Sequence, residues 1–179
     1  MKAYDQIYEV ASENYGLMTT DIARKIGVSG MALVMLEKRG RIIRGGRGVY
    51  RLEQFPASEY DSYATAVARA GNGAFLWGPS VLALENLCPT DPGKLYVAVP
   101  GRVRRNLGRG VVIRQNAGEN ANVSGLKGIP AQSVREAIRD SRNMIMSDRL
   151  LDVTNRACER GLISRDEART LQQELSNGR

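Results

Sequence analysis

The sequence predicts an α+β fold in two parts: a mainly helical N-terminal part, then a small sheet packed with helices. Apolar residues at helical spacing dominate the first 40 residues, and a glycine-rich segment between two short apolar runs follows them. Beyond residue 70, short apolar runs typical of strands precede a C-terminal stretch with helical spacing. The 179-residue length and the hydrophobic fraction of 42% suit two small domains with buried cores.

The first two helices are bounded by recognisable end signals. The apolar face of the first helix is formed by four residues at i, i+3, i+4 and i+7: Tyr4, Ile7, Tyr8 and Ala11. Gly16 ends this helix. Thr19 and Thr20 precede an acidic residue, as is common at a helix start, and they predict a second helix over 21–26 that ends at Gly27.

A third helix and a hairpin follow directly. Ser29 is placed to cap a helix that extends to about residue 39. Short strands over 41–44 and 49–52 flank a glycine-rich turn at 45–48, which predicts a β-hairpin. Two helices joined by a short turn, preceded by another helix and followed by a hairpin, have the order of a winged helix-turn-helix.

We predict that this winged helix-turn-helix occupies residues 1–54 and that a second, α+β domain occupies 55–179, because Pro56 marks a linker. A helix with an apolar stripe follows the linker: Tyr60, Tyr63, Ala64, Val67 and Ala68. The remaining predicted elements are strands at 74–77, 95–99, 110–114 and 125–129 and helices at 79–86, 133–142, 147–159 and 164–175.

The residue types present restrict the chemistry. The sequence contains no histidine, which excludes Ser-His-Asp and Cys-His catalysis and histidine-containing zinc sites. Cys88 and Cys158 lie far apart and are expected to be reduced. A metal-dependent nuclease would need clustered acids, but the candidate carboxylates show no recognisable spacing: Asp91, Glu119, Asp148 and Asp152. We therefore predict no enzymatic activity, no cofactor and no metal.

The chain lacks the features of a membrane or secreted protein. No stretch approaches the roughly 18 consecutive apolar residues of a membrane span. The N-terminus leads into an amphipathic pattern rather than the apolar run of a signal peptide. We expect a cytoplasmic protein with no membrane partner.

Positive charge is concentrated in two blocks. The formal net charge is +7, and residues 37–51 carry six basic side chains against one acid. Such clustering on a winged helix-turn-helix predicts double-stranded DNA as a partner, because cations and helix N-termini bind phosphates and the third helix enters the major groove. The predicted DNA-contacting residues are Thr19, Thr20, Lys25, Ser29, Gly30, Met31, Met35, Lys38, Arg39, Arg41, Arg44, Arg47 and Arg51.

The second basic block lies in the predicted α+β domain. It contains Arg102, Arg104, Arg105 and Arg109. These arginines are either a second patch for nucleic acid or a partner, or a solubilising loop.

The third helix is almost entirely apolar. Leu33 and Leu36, with Ala32 or Val34, are expected to face the core, which leaves the two methionines for the groove-facing side. Methionine can touch thymine methyl groups but cannot make bidentate hydrogen bonds to bases. Either the wing and DNA shape read the sequence, which we favour, or this helix packs against another protein.

Several segments resemble one known family, the AbiEi-type antitoxins of type IV toxin–antitoxin (abortive infection) systems. In the N-terminal part the resemblance is carried by Gly27-Val28-Ser29, by residues 36–44 and by the wing end Gly48-Val49-Tyr50-Arg51-Leu52. In the second part it is carried more diffusely by residues 95–100, 133–140 and 157–163. The family's third helix often has polar or basic residues after the serine, where this chain has Gly30-Met31-Ala32.

The resemblance implies an N-terminal domain that binds operator repeats and represses the antitoxin–toxin operon, in the context of phage defence. It also implies a C-terminal domain that counteracts a nucleotidyltransferase-like toxin without forming a stable complex. The alternative is a stand-alone winged-helix transcriptional regulator that responds to a ligand or a protein partner.

Overall fold

The computed structural model confirms the α+β class and divides the chain into two compact units. The first unit comprises Met1–Asn72 with Lys127–Ile129, and the second comprises Gly73–Leu126 with Pro130–Arg179. The residues that the structure describes are 3–89, 93–104, 107–108, 110–115 and 123–177. The unit that contains the predicted winged helix-turn-helix thus continues to Asn72; the extent of the DNA-binding domain itself stays a prediction.

The first unit contains four helices and a three-stranded antiparallel sheet among its described residues. In chain order they are α1 Ala3–Ser12, β1 Leu17–Thr19, α2 Thr20–Lys25, α3 Gly30–Lys38, β2 Ile42–Gly46, β3 Val49–Leu52 and α4 Asp61–Ala70. The sheet order is β1-β3-β2, so β3 is the central strand. The helices and the hairpin were predicted, but β1 was not, because a three-residue strand has no local pattern and depends on its pairing with β3.

The predicted caps of α2 and α3 are confirmed. The Thr19 hydroxyl accepts a hydrogen bond from the N–H of Ile22 at 3.2 Å, and the Ser29 hydroxyl accepts one from the N–H of Ala32 at 3.2 Å. Gly27, with φ of +79°, ends the α2 segment in the left-handed conformation that glycine adopts without strain.

The core of the first unit lies between α1, α2, α3 and one face of the sheet. Its buried side chains are Ile7, Ala11, Met18, Ala23, Val28, Leu33, Leu36, Ile42, Tyr50 and Leu52. Of the two candidates for the third core position of α3, Ala32 packs against this core, whereas Val34 is exposed. Tyr8, expected on the apolar face of α1, is 53% exposed.

The other face of the sheet is held to α4 by Arg51. Side chains alternate between the two faces of a strand. The Tyr50 side chain is buried in the core, so the Arg51 side chain points to the other face of the sheet. The Arg51 guanidinium forms an ion pair with Asp61 at 2.8 Å and donates hydrogen bonds to the carbonyl oxygens of Phe55 at 3.3 Å and Pro56 at 3.1 Å. Arg51 therefore joins β3, the following loop and α4.

The described residues of the second unit are built around a five-stranded mixed sheet. Its elements are β4 Phe75–Leu76, α5 Pro79–Leu84, β5 Leu95–Ala98, β6 Val111–Arg114, β7 Val123–Leu126, β8 Ile129–Gln132, α6 Val134–Asp140, α7 Ser147–Glu159 and α8 Arg165–Asn177. The strand order is β6-β5-β4-β8-β7, with β4 antiparallel to β5 and parallel to β8. Within this unit Arg139 makes a two-pronged contact with Glu174, both distances 2.9 Å, which holds the pKa of that carboxyl below its ordinary value.

The strand predicted over 125–129 is wrong. The chain turns at Lys127 and Gly128, with φ of +51° and +76°, so that the predicted strand is divided between β7 and β8. Two successive residues with positive φ are typical of a tight hairpin turn. Lysine is not a usual residue at such a position, which is why the turn gave no sequence signal.

No helix among the described residues is long and apolar enough to cross a membrane.

We predict that Asp61→Ala lowers the free energy of unfolding by about 1–3 kcal/mol. This lies between the cost of breaking an exposed ion pair and the cost of breaking a fully buried one. The Arg51 and Asp61 side chains are only 20% and 25% exposed, so the substitution leaves a partly buried cation without its counter-ion. The free energy of unfolding from equilibrium urea titration measures the loss.

Asp152→Ala is the matched control, because Asp152 pairs with Arg156 while both side chains are more than half exposed. We expect it to change stability by less than about 0.5 kcal/mol. Equal stability of the two variants would show that the Arg51–Asp61 pair makes no net contribution.

Candidate nucleic-acid interface

The N-terminus of α3 is exposed and suited to binding an anion. Ser29, Gly30 and Met31 are all exposed at this end. The first N–H groups of a helix have no partner within the helix, and the helix dipole adds partial positive charge there. Among the hydrogen bonds of the described residues, none involves the N–H of Gly30 or Met31. These two groups are therefore available to a phosphate oxygen.

The N-terminus of α2 has one of its N–H groups committed to the wing. We expected Thr19 and Thr20 to offer hydroxyl and N–H groups to phosphates. Instead the Thr19 hydroxyl caps its own helix, and the N–H of Thr20 donates to the carbonyl oxygen of Gly48 at 2.9 Å. These contacts tie the start of α2 to the turn of the hairpin and occupy the N–H of Thr20, whereas the O–H groups of both threonines can still donate to a phosphate oxygen.

The contact between α2 and the wing requires glycine at position 48. Gly48 has φ of +71°, and a Cβ atom there would lie 3.0 Å from the Thr20 hydroxyl oxygen. A residue with a side chain would be strained at this φ, and its Cβ would require the Thr20 hydroxyl to shift by a few tenths of an ångström.

The outward face of α3 is apolar. Met31 is 72% exposed, Met35 42% and Val34 39%, whereas Leu33 and Leu36 are buried on the opposite side. Val34 was not among the predicted contact residues. Its position could have identified it, because it lies about one helical turn after Met31 and next to Met35.

The basic residues around α3 are exposed. Lys25 lies at the end of α2, and Lys38, Arg39 and Arg41 lie at or just beyond the end of α3. Within the part of the chain that the structure describes, Lys25, Lys38 and Arg39 form no ion pair. The Arg41 guanidinium lies 4.0 Å from the centre of the Tyr4 ring, a cation–π contact that fixes the side chain without neutralising its charge.

The wing carries two further exposed arginines. Arg44 lies on β2 opposite Tyr50, with its guanidinium 5.9 Å from the ring centre, and the ladder shifts register between Arg44 and Gly46. Arg47 is exposed in the turn, between two glycines. Neither Arg44 nor Arg47 forms an ion pair with a described residue, so both positive charges are free to meet phosphates or a minor groove.

Arg51 was predicted to contact DNA, and its geometry argues against this. Its guanidinium is committed to Asp61 and to two carbonyl oxygens, and it lies on the face of the sheet opposite Arg44. We therefore assign Arg51 to the packing of α4 and leave it out of the candidate interface.

One cation beside the wing was missed by sequence reasoning. The Arg69 side chain of α4 packs against Gly46, where an added Cβ would lie 3.1 Å from its Nε atom. Because α4 had been placed in the second predicted domain, no sequence pattern connected Arg69 with the hairpin.

The second predicted basic patch is only partly described. Arg102 and Arg104 are exposed residues of the second unit, while Arg105 and Arg109 lie outside the described residues.

Comparison with known proteins bears on the N-terminal unit. No curated protein matches the chain. Residues 5–53 match the model of a family described as transcriptional regulator, AbiEi antitoxin. The match covers most of α1, continues through the helix-turn-helix and the wing, and ends one residue after β3. The resemblance inferred from sequence is thus confirmed over residues 5–53, the part of the chain that is similar to the AbiEi antitoxin family of transcriptional regulators.

Proposed function

We propose that the chain is the DNA-binding antitoxin of a type IV toxin–antitoxin system, which represses its own operon and counteracts a nucleotidyltransferase-like toxin. The observation that carries the DNA-binding part is the exposed α3 N-terminus accompanied by cations that no described carboxylate neutralises. The family match at residues 5–53 supports the regulatory and antitoxin part.

In this proposal α3 lies in the major groove and the hairpin reaches the neighbouring groove or backbone. The N–H groups of Gly30 and Met31 bind one phosphate. Six exposed cations contact the backbone and the adjacent groove: Lys25, Lys38, Arg39, Arg41, Arg44 and Arg47. Ser29, Thr19 and Thr20 fix the helices and the wing rather than supply the main charge.

The antitoxin acts without catalysis in this proposal. The absence of histidine from the sequence supports this, because the common activated nucleophiles depend on histidine. The second unit counteracts the toxin without a stable complex, and the exposed Arg102 and Arg104 are candidates for this activity.

We predict that DNA binding weakens steeply with salt. Five to eight phosphate contacts give a log–log slope of roughly −4.5 to −7, at about −0.9 per contact. Lys38→Ala is expected to reduce the magnitude of the slope by about 1 and to weaken binding to all sequences alike. Fluorescence anisotropy with duplexes from the region upstream of the gene, between about 50 and 200 mM salt, measures both.

Arg156→Ala is the charge-matched control, because Arg156 already pairs with Asp152 on α7. We expect it to leave the slope unchanged. A salt-independent affinity, or equal effects of the two substitutions, would reject the proposed interface.

For the antitoxin activity, we predict that co-expression of the full chain restores growth to cells expressing the product of the adjacent gene. The restored growth should occur without co-purification of the two proteins. Lys38→Ala should keep growth restoration while it weakens repression of an operon reporter, because the two activities use different units. Loss of both activities together would contradict this division.

A cavity in the second unit favours a second candidate function, a transcriptional regulator that responds to a small ligand. The cavity has a volume of about 340 Å³, at the lower end of small-molecule sites. Its lining combines apolar side chains, one tyrosine and two cations: Pro79, Pro89, Lys94, Tyr96, Met144, Ile145, Met146 and Arg149.

Met146→Trp, which narrows this cavity, distinguishes the two functions. The ligand-responsive regulator predicts that the variant represses the reporter at one fixed level, while the wild type responds to growth conditions. The antitoxin function predicts the same repression for both proteins under all conditions.

A further inference from the structure

The side of α3 that points away from the core presents almost no hydrogen-bonding side chain. At 100° per residue, Met31, Val34, Met35 and Lys38 fall within an arc of about 100°, and all four are exposed. Leu33 and Leu36 are buried on the opposite side. Lys38 is the only one of these four with a polar group, and it lies in the last turn of the helix.

This composition limits what the helix can recognise in DNA. Direct reading of guanine, adenine or cytosine in the major groove needs side chains that donate or accept hydrogen bonds. Methionine and valine do neither with useful strength. The one apolar group that the major groove exposes is the C5-methyl group of thymine.

The surroundings of this face favour DNA over another protein as its partner. Lys38 shares the face, and Lys25, Arg39 and Arg41 are exposed nearby in sequence at the ends of α2 and α3. Protein–protein interface cores are depleted in lysine. A stable interface also buries about 800 Å² on each partner, far more than three side chains can offer when two of them are less than half exposed.

We propose that α3 reads thymine by its methyl group, through Met31, Val34 and Met35, so that the operator is defined by the positions of thymines in the major groove. This inference rests on the proposed DNA-binding function. It assigns base recognition to apolar contacts on α3, in place of the sequence expectation that the wing and DNA shape read the operator, and it leaves phosphate binding and groove-width recognition to the cations.

Replacing thymine by deoxyuridine tests the proposal, because it removes the methyl group and keeps every base-pair hydrogen bond. The binding site is first selected with the full-length chain from a pool of random duplexes. Each thymine of the selected site is then replaced in turn. Burial of one methyl group corresponds to about a fourfold change in affinity. We expect a loss of about this size at two or three thymines and no loss elsewhere.

A double-substituted protein tests whether α3 is the reader. Met31→Ala with Met35→Ala should bind the thymine-containing site more weakly than the wild type does, and deoxyuridine should weaken it no further at the thymines that the two methionines contact; any thymine that keeps its sensitivity is then read by Val34. Both methionines are exposed, so folding should be unaffected, which thermal unfolding checks. The control is Arg47→Ala, which should bind more weakly but keep the full fourfold sensitivity to each methyl group.

The outcomes separate this proposal from the function on which it rests. Sequence-specific binding that deoxyuridine leaves unchanged would overturn methyl reading and keep the DNA-binding function. Loss of the methyl sensitivity in Arg47→Ala, but not in the double variant, would assign the effect to the wing and overturn the role of α3. A dimer that the double variant converts to a monomer, with no methyl sensitivity, would identify the face as an interface between copies. Absence of any sequence preference in the selection would reject both proposals.

Discussion

The pairing of β3 between β1 and β2 is the constraint on which the N-terminal unit depends. Antiparallel pairing on both sides fixes the register of β3, and strand alternation then sends Tyr50 into the core and Arg51 to the opposite face. A shift by one residue would exchange the two, burying a guanidinium among apolar side chains and exposing the tyrosine ring. The same register brings Gly48 against the start of α2, so the wing and the helix-turn-helix are joined by a backbone hydrogen bond as well as by the core.

The helices of this unit were predictable because their ends carry local chemical signals. Ser29 and Thr19 cap helices, and Gly27 has the positive φ expected after a helix end, each within a few residues of the element that it bounds. The strands were less predictable. A strand as short as β1 exists only through its partner, whose paired residues lie 30 to 34 positions further along the chain. Lys127 has a positive φ in its turn, but lysine is not a residue type from which a positive φ is predicted.

The sequence predicted which basic residues lie near the candidate interface, but not the face of the sheet to which each side chain points. Counting arginines between residues 37 and 51 identifies a basic segment, yet the count does not distinguish Arg44 from Arg51, which point to opposite faces of one sheet. Alternation along the predicted hairpin could have separated them, since both partners of the ladder were recognised. The counter-ion of Arg51 could not have been identified, because Asp61 lies on a helix that the sequence assigned to the other domain. The same reason hid the packing of Arg69 against Gly46.

An apolar recognition helix sets a limit on specificity that bears on how the chain occupies DNA. Three thymine methyls at about fourfold each give one copy a preference of roughly sixtyfold over random sequence. Specific DNA-binding proteins exceed their non-specific binding by about 10³–10⁷, so methyl reading by α3 of one copy falls short by itself. If two copies bind the operator repeats of the proposed function, their roughly sixtyfold preferences multiply to a few thousandfold. This value lies in the lower part of the range for specific DNA-binding proteins. Apolar reading by α3 therefore fits repression from repeated sites better than repression from a single one, and the cations of the wing supply affinity without supplying this discrimination.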